Sequence, residues 1–171
     1  MRKLTAGLIS AGLLLVLFSF VYAVHEIIPS ETQIPLPGAD AKKLGDYIVR
    51  YNPYTTWDLW PGKGRLFQGR DPHGSLLTTF VNYSAHYSAK NKEPMTDGAI
   101  IAKENYTADK KFVALTVMYK IAGYNPEAGD WFWAKYGPDG RAQVSGKVKA
   151  CIDCHAVRKD NDYIFSGSIS K

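Results

Sequence analysis

Apolar positions along this chain fall into stretches with different periods. Leu4 to Val24 is an unbroken run of 21 uncharged residues. Residues 25–40 carry Pro29, Pro35, Pro37 and Gly38, which reads as an extended linker with no core of its own. Residues 41–50 place Leu44, Tyr47 and Ile48 on one side of a helical turn or two. Residues 57–75 are dense in glycine and proline and predict a long loop held by its aromatics. Leu76–Asn82, Gly98–Tyr106, Lys111–Ile121 and Trp131–Tyr136 then read as strands. In the longest, the period of two puts Phe112, Ala114, Thr116 and Met118 on one face and Val113, Leu115, Val117, Tyr119 and Ile121 on the other. Neither face is strongly polar, so both are expected to be covered. Gly137-Pro138-Asp139-Gly140 is a turn, and the period changes again over Gly146 to Val157, where a short helix is expected.

This succession predicts an α+β fold, mainly an antiparallel β-sheet with a few short helices. There is no internal repeat and no heptad. The expected organisation is an export segment over 1–23, a proline-rich linker over 24–40 and a folded domain over 41–171. Composition supports one core: 46% of residues are hydrophobic, too many for a disordered chain. The 13% aromatic content suits packed strands and equally the walls of a site for a flat cofactor. Formal net charge is +5, of which Arg2 and Lys3 contribute two, leaving +3 beyond the export segment. The charges are interspersed without a basic stripe, which argues against nucleic acid as a partner.

Met1-Arg2-Lys3 is a short positive head before the uncharged run, which ends in Val21-Tyr22-Ala23, close to the small-x-small pattern of a cleavage site. Two readings stay open: cleavage after Ala23, or a retained membrane anchor over residues 4–24, which are numerous enough to span hydrocarbon as a helix. Both place the folded domain outside the cytoplasm, in the periplasm, with the membrane as a partner only through that anchor.

Candidate chemistry concentrates in one place. The chain has two cysteines, and both lie in Cys151-Ile152-Asp153-Cys154-His155. In Cys-x-x-Cys-His the two thiols add across the two haem vinyl groups, and the histidine reaches the iron from the proximal side. Export agrees with this, because covalent haem attachment takes place outside the bacterial cytoplasm. A redox Cys-x-x-Cys would open a helix after an early strand. A disulfide between residues three apart closes too small a loop to staple a fold. Zinc needs two further ligands, and no second Cys or His pair exists. The expected cofactor is therefore one covalently bound haem c, its iron held by His155. Small electron-transfer cytochromes carry this motif near the N-terminus with a methionine ligand downstream. Here 16 residues follow His155 and none is methionine, while Met95 and Met118 lie upstream. The iron is then expected to keep one face open for a small molecule; a plain electron-transfer role would need a sixth protein ligand.

With these residues in view, the chain resembles the cytochrome P-460 family, which includes cytochrome c′-beta. The resemblance covers roughly residues 41–166 through GAIIAKENY, FVALTVMYK, GDWFWAKYGPDG and GKVKACIDCH followed by DYIF. It implies a mostly antiparallel β fold, often dimeric, around one five-coordinate haem. It also implies small ligands such as nitric oxide, hydroxylamine or carbon monoxide, and a redox partner cytochrome. Some members oxidise hydroxylamine; in these a strand lysine bonds to the haem edge, and Lys103 occupies that motif position. Those enzymes also carry a distal glutamate as proton acceptor, and the matching place falls near Met118, a thioether that takes no proton. That departure favours an apolar gas-binding pocket over turnover; Met118 and its face-mates Phe112, Ala114 and Thr116 either line it or simply pack the core. Glu104 is the candidate for a relocated acid, although it falls on the strand face opposite Lys103.

Among the other polar residues, His73 in Asp71-Pro72-His73-Gly74 is a distal-ligand candidate, with a turn histidine or a propionate contact as the alternatives. His86 reads as a surface residue and His25 as part of the linker. Arg65, Arg70 and Lys63 are candidate partners for haem propionates.

Overall fold

The computed structural model describes residues 34–169. The export segment or anchor, its cleavage site at Ala23, and His25 lie outside the described residues. Leu36–Lys171 forms one compact unit. Among the described residues no helix is long and apolar enough to cross a membrane.

The first element starts where Asp40 turns extended and its carboxylate accepts from the Lys43 amide at 2.8 Å. Helix α1 (Ala41–Asp46) runs on into a π-helical stretch, Tyr47–Tyr51. Leu44, Tyr47 and Ile48 are its buried residues, as their spacing predicts. The loop over 57–75 is irregular except for two short strands, β1 (Asp58–Leu59) and β2 (Phe67–Gln68), which both pair with β3 (Leu76–Val81). Helix α2 (Tyr83–Asn91) follows, then β4 (Ile100–Tyr106), β5 (Phe112–Lys120), β6 (Trp131–Tyr136), β7 (Ala142–Gly146) and helix α3 (Lys149–His155). All pairings are antiparallel, in the order β1-β3-β4-β5-β6-β7 with β2 beside β3. The fold is thus α+β, mostly antiparallel sheet with a few short helices.

Both sheet faces are covered, and the alternation along the strands decides which residues go where. Ile100, Ala102, Leu115, Val117, Phe132 and Ala134 join Leu44 and Ile48 of the first helix in one cluster. Ile101, Met118, Trp131 and Trp133 join Ala85 of α2 and Tyr163, Ile164 and Ile169 of the C-terminal tail in the other.

The register places a polar row on this second face: Thr79, Lys103, Thr116 and Lys135 are successive partners across β3, β4, β5 and β6. Beside it lies the row Ile101, Met118 and Trp133.

One expectation about the faces fails. Asn105 pairs with Ala114, but Tyr106 pairs with Phe112, so Val113 is the extra residue of a bulge. The bulge turns Phe112 to the face opposite Ala114, where its ring meets Tyr106 edge-on at 5.8 Å. Phe112 therefore lines a groove under the first helix, with Tyr54 and Tyr136, and not the pocket proposed for it beside Met118.

Helix α2 and strand β7 were not legible in the hydrophobic pattern. The residues α2 buries are Ala85 and Ser88, too small to mark an apolar face, while Tyr83 and Tyr87 are exposed. Strand β7 is an edge strand with exposed side chains, so nothing alternates.

Candidate functional site

Helix α3 carries Cys151, Cys154 and His155 at spacings of three and four, which put all three on one helical face. That face meets the second face of the sheet across a cavity of about 320 Å³, which all three residues line. Apolar walls come from Ile101, Ala114, Met118, Trp133 and Val144.

His155 is buried, and its Nδ1 donates to the Tyr163 carbonyl at 2.7 Å. A carbonyl only accepts, so the proton sits on Nδ1 and the lone pair of Nε2 stays available to a metal. Burial lowers the imidazole pKa, more than the Tyr163 bond raises it, so the ring is neutral. Trp133 and Phe165 cross the ring at centroid distances of 4.7 and 5.1 Å and fix its plane.

The Tyr163 carbonyl is held by an unusual stretch of chain. Asp162 and Tyr163 both adopt left-handed backbone, φ 51° and 64°, which side chains bear only under constraint. Asn161 clamps the tail beyond: its amide donates to the Ile164 carbonyl at 2.6 Å and the Gly167 carbonyl at 3.0 Å, and accepts from the Ile169 amide at 2.8 Å. Asp162 ties the turn to the sheet, accepting from Lys120 Nζ at 2.6 Å, the Met95 amide at 2.9 Å and Trp131 Nε1 at 3.2 Å.

A second imidazole lines the same cavity. His73 stands with its ring centroid 6.3 Å from that of His155 and the two planes at 88°. Its Nδ1 lies 3.0 Å from Asn105 Oδ1. The Asn105 amide nitrogen donates to the Lys103 and Ala114 carbonyls and to Thr116 Oγ1, which leaves Oδ1 to accept from His73 and from the Gly74 amide. His73 therefore also keeps a free Nε2. Burial first, and then the charge of Lys103, lowers its pKa to about 4. Gly74 lets the loop lie flat on β4: a Cβ there would stand 2.4 Å from the Tyr106 carbonyl oxygen.

Lys103 and Lys135 bring two cations to the cavity, and no carboxylate is among its described lining residues. Burial pulls the Lys103 ammonium down to about 8. In haem-free protein Lys103 is expected to react with an acylating reagent with a pH midpoint near 8, against about 10.4 for exposed lysines. Peptide mass spectrometry across a pH series reads this, and a midpoint shared with the exposed lysines would show that the cavity does not desolvate it.

Met118 lines the cavity, as do Ala114 and Thr116. Glu104 does not: on the opposite face it accepts from Tyr54 Oη at 3.0 Å and Tyr106 Oη at 2.6 Å. A relocated acid at Glu104 is thereby ruled out by strand alternation. Arg65 lies over the Phe80 ring and Lys63 over the Phe67 ring, so both are engaged away from the cavity. Arg70 contributes its carbonyl to the turn that presents His73. His86 sits on α2, 3.4 Å from an Asp58 carboxylate oxygen. The sequence offered no hint of Asn105, Lys135, Trp133 or Tyr163, which reach the site only through register and tail geometry.

These residues fit a haem on the chemistry of the donor set. Two thiols and an imidazole with a free Nε2 share one helical face. The walls are apolar, two lysines suit two propionates, and the buried Trp133 indole N–H has no acceptor in the protein. The sequence matches the family model described as cytochrome P-460 over residues 67–166, more than half of the chain, ending beyond the Cys-x-x-Cys-His motif. No curated protein matches it.

Proposed function

This chain belongs to the cytochrome P-460 family and is a haem protein of that kind, and from that premise we propose an exported mono-haem c-type cytochrome that binds small nitrogen-oxide ligands. Cys151 and Cys154 would hold the haem through thioether bonds, each formed by adding an S–H across a vinyl group without net oxidation. His155 Nε2 would ligate the iron, with the Tyr163 carbonyl fixing the ring. Lys103 and Lys135 balance the propionate charge. The bound haem supplies the iron at which nitric oxide or hydroxylamine is held. Lys103 is also the residue proposed for a bond to the ring edge: one amine N–H and one ring C–H would be replaced by a C–N bond, which needs a two-electron oxidant such as a peroxide, and in that form Lys135 alone of the two lysines would remain to balance a propionate. A haem joined there would shift the mass of the Lys103 peptide.

One observation favours binding over turnover: two imidazoles, two thiols and two lysines meet at the cavity, with no carboxylate among its described lining residues. By the family resemblance the proton acceptor's place falls near Met118, which lines the cavity as a thioether, and Glu104 faces away. The domain works in the periplasm, cleaved or anchored through residues 4–24, as a homodimer, with a partner cytochrome resetting the iron.

Titration of the reduced protein with nitric oxide tests the reading. A saturable change in the Soret band with one ligand per haem is expected, with hydroxylamine turnover no faster than that of free haem. Absence of any ligand-induced change, or sustained hydroxylamine oxidation, would contradict it.

A further inference from the structure

We propose that His73 is a second, displaceable axial ligand, which closes the distal face until a small ligand takes its place. This rests on the haem reading above and adds the group that regulates access to the iron.

An iron between two imidazole nitrogens needs about 2 Å on either side and roughly 1 Å more from each nitrogen to its ring centre, so about 6 Å between centres. The His73 and His155 rings are 6.3 Å apart and line one cavity. Each donates its Nδ1 proton to an oxygen of the protein, Asn105 Oδ1 at 3.0 Å and the Tyr163 carbonyl at 2.7 Å. That is the arrangement found behind metal-ligating histidines, because it fixes the tautomer and leaves Nε2 free.

The position of His73 is built. Asn105 is buried and holds it while anchored to Lys103, Ala114 and Thr116. The His73 amide also donates to the Arg70 carbonyl at 2.9 Å, closing the turn. Ligation by a loop residue explains displacement. His155 sits on a helix packed against the sheet, whereas His73 hangs from a loop that the Gly74 and Gly69 backbone bonds pin on one side.

The test uses the mature, haem-loaded chain and its His73→Ala variant. The wild type is expected to give a low-spin, six-coordinate optical spectrum. Its ferric EPR signal should be strongly anisotropic, as crossed imidazole planes require. His73→Ala should lose the low-spin bands and bind carbon monoxide at least about tenfold more tightly, because the internal ligand no longer holds most of the population closed. His73→Met, which offers a thioether instead, should keep a six-coordinate spectrum. A five-coordinate, high-spin wild type overturns the proposal, as does a low-spin spectrum unchanged in His73→Ala. The wild-type spectrum needs no variant to fold, and protein from which acid–acetone removes the haem signals failure of the underlying haem c reading instead.

Discussion

A His155→Gly variant is expected to keep its haem, tethered through Cys151 and Cys154, and to lose the proximal bond to the iron. The glycine removes the one cavity imidazole carried on the helix of the attachment motif. His73 would then be the one imidazole left among the cavity's described lining residues, so the six-coordinate wild-type spectrum should be lost. The buried Tyr163 carbonyl loses its donor as well, at a cost of about 1–3 kcal/mol. Added imidazole should enter the space left by the ring, donate its N–H to the Tyr163 carbonyl and restore the wild-type spectrum. A merely structural histidine would not be rescued in this way. A spectrum of His155→Gly identical to wild type would contradict the assignment.

The second large effect is expected at the turn that carries Tyr163. Asp162 and Lys120 form an ion pair at 2.6 Å with side chains only 10% and 15% exposed. Lys120 also lies over the Trp131 ring at 4.8 Å, and Trp131 is fully buried. Asp162→Ala strands that ammonium in the core and leaves the Met95 amide and the Trp131 indole with fewer acceptors. Breaking one side of such a pair costs about 3–5 kcal/mol. In a domain of this size that lowers the melting temperature by about 10–20 °C. Asp162 precedes the residue whose carbonyl orients His155, so the haem spectrum should broaden well below the melting point. Asp162→Asn keeps the hydrogen bonds without the charge and should fall between. Thermal melts followed by circular dichroism and by Soret absorbance read both effects; a shift below about 2 °C would show that the pair is not structural.

Much of this arrangement is legible in the sequence where one local rule suffices. The β5 alternation could be read because each side chain faces one of two buried layers, and it failed at Phe112 and Val113, where a bulge adds a residue that no hydrophobic pattern announces. The grouping of Cys151, Cys154 and His155 was legible because helical spacing alone brings them to one face. Asn105 was not, since an asparagine in a strand gains meaning only from what the loop above it presents. Tyr163 was not either: its contribution is a backbone carbonyl aimed by two left-handed residues, and its aromatic ring says nothing about that. Lys135 lies on β6 and joins Lys103 solely through the pairing of both with Thr116. Arg65 drew notice as a propionate partner by charge, yet its guanidinium is 4.9 Å from the Phe80 ring centre.

Every ligand-binding property proposed for this chain depends on a haem bonded to Cys151 and Cys154. Acid–acetone extraction of protein matured with its secretion and haem-attachment machinery tests this directly. The protein should precipitate red, with an intact mass larger by one haem and no titratable thiol. A red supernatant over colourless protein, with both thiols free, would contradict the central claim.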